Sequence, residues 1–439
     1  LATGDSIVHP GLSYDYFFND GLVNFTRTNS GSGQAPFRDS YMKVEYYVPK
    51  LQVNEKEQKL YLTYDKGMSQ EQRIARVESF DYFDIKVYEQ MNGISSLNPL
   101  VALDKFTYDY DEFFITEGKC ATALGGTLRE VKPLMLQLAN EGFITYDTEA
   151  GMVNINPKVT NFVKARYGKK DYDNISFITD LKPKEFRGYT AEEIKENPAL
   201  QDLIAQSKEI NLRRRSHEHF GVYDLGSMKL NLVEVEQVNI SDRQGVVVFP
   251  ENGKVTINKN RDFDFNGWIN AGKMEIDARL ASYNYNENII HLHETKHSYL
   301  RAQPRKPEHG KYGIPTKTPF ANLVGQIKVD LPSNRSGVKQ TKETAIYPIL
   351  EVTNASKIYY NYPTLHRGAY DSTRFYYSLQ PFTIDSLDNF NDIAFRMKGK
   401  LVSAGIFPDL AEDLRIMPDY SLGFSTTAPA TGLDFYGTG

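Results

Sequence analysis

The chain has 439 residues, 40% hydrophobic and 24% charged, and its 51 basic and 56 acidic residues leave a formal charge of −5. At roughly 100–200 residues per domain this length holds two to four domains, and a single cysteine, Cys120, excludes an intrachain disulfide scaffold. The balance argues against a disordered chain and a strongly basic nucleic-acid binder. No apolar run approaches the roughly 20 residues of a transmembrane helix.

Residues 1–104 read as a mixed α/β region, with strand-like runs at 15–18, 42–48 and 59–64. In the second run Met42, Val44, Tyr46 and Val48 share one pleat face, and Lys43 and Glu45 take the other. The Gly- and Ser-rich stretch 29–34 reads as a flexible loop. Ser69, with Gln72 three positions on, has the form of a helix N-terminus.

Residues 105–168 are the clearest local unit. Leu128, Val131, Leu134, Met135 and Leu138 recur at helical spacing over 127–142, and Gly142 is the expected stop. A hairpin then follows at 143–146 and 152–155, and a closing helix at 157–164. Helix followed by hairpin is the pattern of a winged-helix-like module. The helix carries Arg129 and Lys132 against Glu130 and Glu141, a poor electrostatic footprint for phosphate, so packing or protein docking is expected rather than DNA binding.

Residues 169–220 read as a helical connector, with an amphipathic helix at 190–208 followed by Arg213, Arg214 and Arg215. The triplet suits a solvated helix C-terminus, where positive charge meets the dipole, or else an anion site. Residues 221–439 read as a β-rich domain, punctuated by turns such as Asn252-Gly253 and Asn266-Gly267. A loose repeat runs through it: an apolar residue, a glycine and a further apolar residue recur around Gly267, Gly325 and Gly399. A recurrence about 60–75 residues apart suggests stacked sheet layers or a solenoid-like groove.

His293-Glu294-Thr295-Lys296-His297 matches H-E-x-x-H. On a helix His293 and His297 would hold one Zn²⁺ at roughly 2.0–2.1 Å, with Glu294 as general base of a zinc metallopeptidase. The surroundings argue against a helix. Met274, Ile276 and Ala278 alternate with Lys273, Glu275 and Asp277, Asn286–Asn288 forms a turn, and 289–293 resumes as strand. Extended, i to i+4 spans about 13 Å, and only His291 and His293, about 6.6 Å apart, share a face. No third ligand stands at the expected spacing, since Leu300 and Gln303 occupy the metzincin positions.

Other catalytic signatures are absent, including phosphate-binding glycine loops and the G-x-S-x-G elbow. Cys120 is expected to be a buried structural thiol. Asp109/Asp111 and Asp262/Asp264 alternate with aromatic residues, as on the polar face of a strand, rather than forming a glycosidase pair.

The stretches 368–376, 381–390, 401–408 and 418–424 together resemble a family of very large, uncharacterised proteins of Bacteroidota. The resemblance extends to 258–263 and 330–337 and covers roughly half the chain, chiefly its β part. It implies a fragment of a longer, extracytoplasmic polypeptide and carries no catalytic residues. The absence of an initiator Met and the unfinished C-terminus point to the same fragment reading.

The expected fold is α+β and multidomain: a mixed N-terminal region, a small winged-helix-like module and a large antiparallel or solenoid-like all-β region. The expected function is a non-enzymatic binding or structural segment of a large envelope-associated protein, periplasmic or on the cell surface. Its partners would be other envelope proteins, or a glycan, peptide or lipid ligand held by the surplus of Tyr and Phe. Zinc peptidase chemistry through His293, Glu294 and His297 is the first alternative, and protein docking by residues 105–168 the second.

Overall fold

The computed structural model describes residues 4–28, 31–91, 96–183, 208–303, 313–362, 366–408, 410–428 and 430–432. The protein is mostly β, with 39% strand and 19% helix. It forms two compact units, Leu1–Val238 with Asn252–Arg261, and Asn239–Glu251 with Asp262–Gly439. The first thus takes in residues on both sides of positions 104, 168 and 220. Among the described residues no helix is long and apolar enough to cross a membrane.

In the first unit a five-stranded sheet runs in the order Ile7–Val8, Phe37–Asp39, Val44–Tyr47, Ile74–Ser79, Ser176–Asp180. Val44–Tyr47 is buried on both faces, so the alternation expected at 42–48 does not divide core from solvent. On one face Tyr46 donates to Asp39 at 2.6 Å; on the other, Tyr47 donates to the Glu141 carbonyl of a helical bundle at 3.1 Å. A separate antiparallel meander links Ser13–Phe17, Leu22–Thr26, Lys50–Asn54, Lys59–Thr63, His219–Asp224 and Lys229–Leu232. It accounts for the strand runs expected at 15–18 and 59–64. The expected helix start at Ser69 is only a 3-10 turn, Gln70–Gln72.

The bundle contains Pro99–Tyr110, Glu117–Ala123, Leu128–Asn140 and Pro157–Arg166, with a small sheet of Phe114–Thr116, Met152–Ile155 and Ile144–Asp147. The central helix forms where its periodicity places it. The Glu130 carboxylate accepts from the Thr127 backbone N–H at 2.9 Å and from its hydroxyl at 2.6 Å. Val131, Leu134, Met135 and Leu138 are buried. Gly142, at φ +73°, then reverses the chain: Gly142 N–H donates to Ala139 and Phe143 N–H to Leu138, a Schellman closure. The helix expected at 190–208 lies, except for its last residue, outside the described residues; helix is described at 208–216.

The second unit is built on Phe263–Ala271, Met274–Asn284 and Ile289–Ala302, joined antiparallel. Ile289–Ala302 serves two successive partners. Its first residues pair with Gly325–Lys328, leading on to Ile349–Val352 and Phe382–Ile384. His297 and Ser298 pair with Phe320–Ala321, leading to Ser356–Tyr359, Phe375–Leu379 and Gly399–Ser403. Shifts of register between Ile276 and Ala281 mark bulges at this fork, and bulges bend and twist a strand.

These ladders are antiparallel, which corrects the solenoid-like alternative, since solenoids stack parallel strands. The glycine recurrence has another cause. A Cβ on Gly267 would stand 2.2 Å from the Phe249 carbonyl oxygen, on Gly325 1.9 Å from that of Glu351, and on Gly399 2.3 Å from that of Ser378. Each glycine marks a place where a neighbouring backbone comes too close for any side chain.

Candidate binding face of the β-rich unit

Along Phe263–Ala271 the residues alternate strictly, with Phe263, Phe265, Ile269 and Ala271 buried. Trp268, the only tryptophan of the chain, therefore falls on the polar face with Asp264, Asn266 and Asn270, and it is 41% exposed. Its ring stacks with Tyr299 of Ile289–Ala302 at 6.4 Å and 25°. Met274–Asn284 runs between their two strands and presents Glu275 and Asp277 on the same face. Arg301 pairs with Glu275, and Lys296 lies 3.9 Å from Asp277. Burial first, then the charges of Asp277 and Glu275, holds the Tyr299 phenol above its ordinary pKa, so it stays a hydroxyl donor.

The aromatic row continues across the fork. Tyr362 lies 6.4 Å from His297, edge to face. Its phenol is pushed up to about 12, by burial and then by the neighbouring Tyr299 and Tyr359. Tyr359 meets Tyr376 at 6.5 Å, and the Lys357 ammonium sits 4.0 Å over the Tyr376 ring. The result is a line of partly exposed rings running across the strands, with paired charges at its base.

The H-E-x-x-H residues lie in the same strand and are not brought together. Ile289–Ala302 is extended throughout, so four strand residues put His293 and His297 roughly 13 Å apart, beyond any shared zinc ion. Glu294 pairs with Arg279 at 3.0 Å, His293 exchanges a hydrogen bond with Ser282 at 2.9 Å, and His297 packs on Tyr362. His291 and His293 do share a face, their rings 6.1 Å apart. The zinc peptidase reading is thereby corrected: the local β alternation, not the motif, governs the backbone. Among the described residues no group of three or more His, Cys, Asp or Glu is placed to hold a metal.

Asp264 stands on the polar face of its strand, as alternation implies, but Asp109 belongs to the helix Pro99–Tyr110 and Asp111 caps it in the left-handed conformation. The regular spacing of Asp and Tyr there is not strand alternation. Cys120 is buried, and burial pushes its thiol up to about 12. Of the arginine triplet only Arg215 is exposed at the helix end; Arg213 and Arg214 are turned to carboxylates. Arg214 is 3% exposed and reaches Glu234 at 3.4 Å and Glu236 at 2.9 Å, while Arg213 meets Glu234 at 3.0 Å. Burial alone would raise the Glu234 carboxyl, but Arg213 and then Arg214 hold it below its ordinary range. A carboxylate 2% exposed needs such partners.

Two features escaped the sequence reading. The Trp268–Tyr299 face had a signal, a tryptophan at the polar phase of an alternating strand. A buried charge cluster in the first unit had almost none. The Lys158 ammonium lies 2.8 Å from Glu45, 2.5 Å from the Tyr47 hydroxyl, 2.9 Å from the Glu141 carbonyl and 4.0 Å from Glu78. Only its place in the first turn of Pro157–Arg166, where a cation opposes the helix dipole, hints that something else holds it. No family model matches the chain, and no curated protein or solved structure matches it.

Proposed function

We propose that the chain is a non-enzymatic binding segment of a large, envelope-associated extracytoplasmic protein, and that its β-rich unit binds a glycan across the Trp268–Tyr299 face. The observation that carries this is the stacked, half-exposed aromatic pair spanning charged side chains. The π face of each ring is negative and attracts the C–H groups of a sugar ring, while Glu275, Asp277 and Arg301 offer partners for its hydroxyls. A lipid chain needs a continuous apolar trench, which the ion pairs interrupt. An added peptide strand needs a free sheet edge, whereas the row lies on a face. The extracytoplasmic setting rests on the resemblance to large Bacteroidota proteins.

Calorimetric titration with a panel of neutral hexasaccharides tests the proposal. At least one should bind, and Trp268→Ala should weaken it by tenfold or more, about 1.4 kcal/mol, with the melting temperature unchanged. Absence of binding to the whole panel, or equal affinity in the variant, would refute it.

A second reading concerns the bundle, whose helix, strand, helix, helix and hairpin follow one another as in a winged helix. Tyr108, Tyr110, Phe113 and Phe114 are exposed by 87%, 65%, 47% and 66%. Such clustered aromatics on one module favour protein docking, and its exposed Arg129 and Lys132 beside Glu130 do not favour DNA. Cross-linking in cells should lose its partners in a Tyr108→Ser/Phe114→Ser variant; an unchanged pattern removes this reading.

A further inference from the structure

The meander of the first unit carries a concave site of about 510 Å³, within the range of small-ligand pockets. Its floor is one face of adjacent strands, Lys50–Asn54, Lys59–Thr63 and His219–Asp224. Gln52 stands opposite Tyr61, and Thr63 stands opposite both Lys50 and His219. Leu51, Leu60 and Leu62 point to the other, buried side. The Tyr61 and His219 rings lie 4.9 Å apart, tilted by 55° to one another, and together wall an aromatic corner; burial keeps the imidazole below its ordinary pKa and hence neutral.

The charges of the site are unevenly committed. Lys50 is paired with Asp65 at 3.0 Å. Glu57 accepts from the Tyr61 hydroxyl at 2.5 Å and faces Lys59 at 3.7 Å. Arg73 and Lys66 also line the site, and neither has an ion-pair partner among the described residues. Arg73 is held by its guanidinium over the Tyr64 ring at 4.5 Å. Tyr64 is in turn fixed by donating to the His217 carbonyl at 2.8 Å. The Arg73 Nε is buried without a hydrogen-bond partner. A guanidinium pre-oriented over an aromatic ring, with no ion-pair partner among the described residues, is suited to a planar or tetrahedral anion.

We propose that this site binds an acidic saccharide unit, a sugar ring carrying one carboxylate or sulfate, with the anion on Arg73 and Lys66 and the ring over Tyr61 and His219. The Gln52 side chain donates to Asn24 at 2.8 Å, which leaves its amide oxygen to accept from a sugar hydroxyl. Glu218 lines the same site and, with Glu57, limits it to a single negative charge. A nucleotide, with more charge and no phosphate-cradling backbone loop here, fits less well.

Titration of the full chain at low salt, with a uronate trisaccharide, its neutral methyl ester, a mono-sulfated disaccharide, AMP and inorganic sulfate, tests this. The uronate, the sulfated sugar or both should bind, which tells the two anion sources apart. The methyl ester and free sulfate should bind at least tenfold more weakly. Arg73→Gln and the exposed Lys66→Gln should each reduce affinity tenfold or more, and Tyr61→Ala should do so for the saccharide alone. Trp268→Ala should change nothing, so this site and the β-rich face stand or fall separately. Equal binding of the methyl ester, of AMP or of bare sulfate overturns the proposal, as does unchanged affinity in a folded Lys66→Gln protein or no binding by any probe.

Discussion

Gly267→Ala is expected to destabilise the β-rich unit by roughly 2–4 kcal/mol, the sum of a left-handed-backbone penalty and an overpacking penalty. The residue sits at φ +132°, and an added Cβ would meet Phe249 O at 2.2 Å, Glu251 N at 2.6 Å and Pro250 C at 3.0 Å. All three are backbone atoms, so no side-chain rotation relieves them. The position coincides with the register shift between Phe265 and Gly267, where the bend depends on this close approach. Trp268 is adjacent and unique, so its fluorescence during urea unfolding reports the change directly. Gly67→Ala, where a Cβ meets nothing within 4 Å, is the control and should shift the midpoint little. A Gly267→Ala loss below about 1 kcal/mol would mean the backbone shifts freely, and the close approach would then not explain the glycine recurrence.

Lys158→Met is expected to cost the first unit roughly 3–5 kcal/mol at neutral pH, the usual penalty for stranding a buried charge. Three carboxylates, Glu45, Glu78 and Glu141, face Lys158, Arg76 and Arg38 in this cluster, with Arg76 2.7 Å from Glu141 and 3.3 Å from Glu78. Glu45 and Glu78 side chains are only 6% and 5% exposed. Burial already raises the Glu78 carboxyl, with Arg76 and Lys158 opposing that rise, and removing Lys158 lifts it further. The sign for pH follows. Where the folded pKa exceeds the unfolded one, the native state binds more protons, so stability increases as pH falls through the folded pKa towards the ordinary value of about 4.5. The deficit of the variant relative to wild type should be largest near pH 7–8 and shrink in acid. Far-UV circular dichroism in urea, repeated across pH, measures it because the helices belong to this unit. A deficit independent of pH would show that lost packing over Phe143 and Phe162, not charge, dominates.

Both predictions rest on contacts between residues far apart in sequence, which no local pattern of residues specifies. Glu45 sits on the polar phase of an alternating run, which ordinarily means solvent. It is buried because helices cover one face of Val44–Tyr47 and Tyr46 packs on the other, a fact no window of seven residues contains. Arg213 and Arg214 depart from a solvated helix end for the same reason, since their partner Glu234 lies 20 residues or more away on another segment. Trp268 was recoverable: its alternation phase was visible, but its stack with Tyr299 depends on the pairing of three strands.

Sequence alone determined what local interactions decide. Helical spacing and the Gly142 stop act within one or two turns, so the Leu128–Asn140 helix and its hairpin were readable. Period-two alternation and the Asn286–Asn288 turn likewise favoured a strand at 289–293, against the motif, and the structure carries that strand on through His297. Tertiary structure alone decided which faces are doubly covered, which strand forks between two partners, and which glycines admit a neighbouring carbonyl. Those outcomes depend on long-range pairing, whose register and burial arise from the whole sheet rather than from any segment of it.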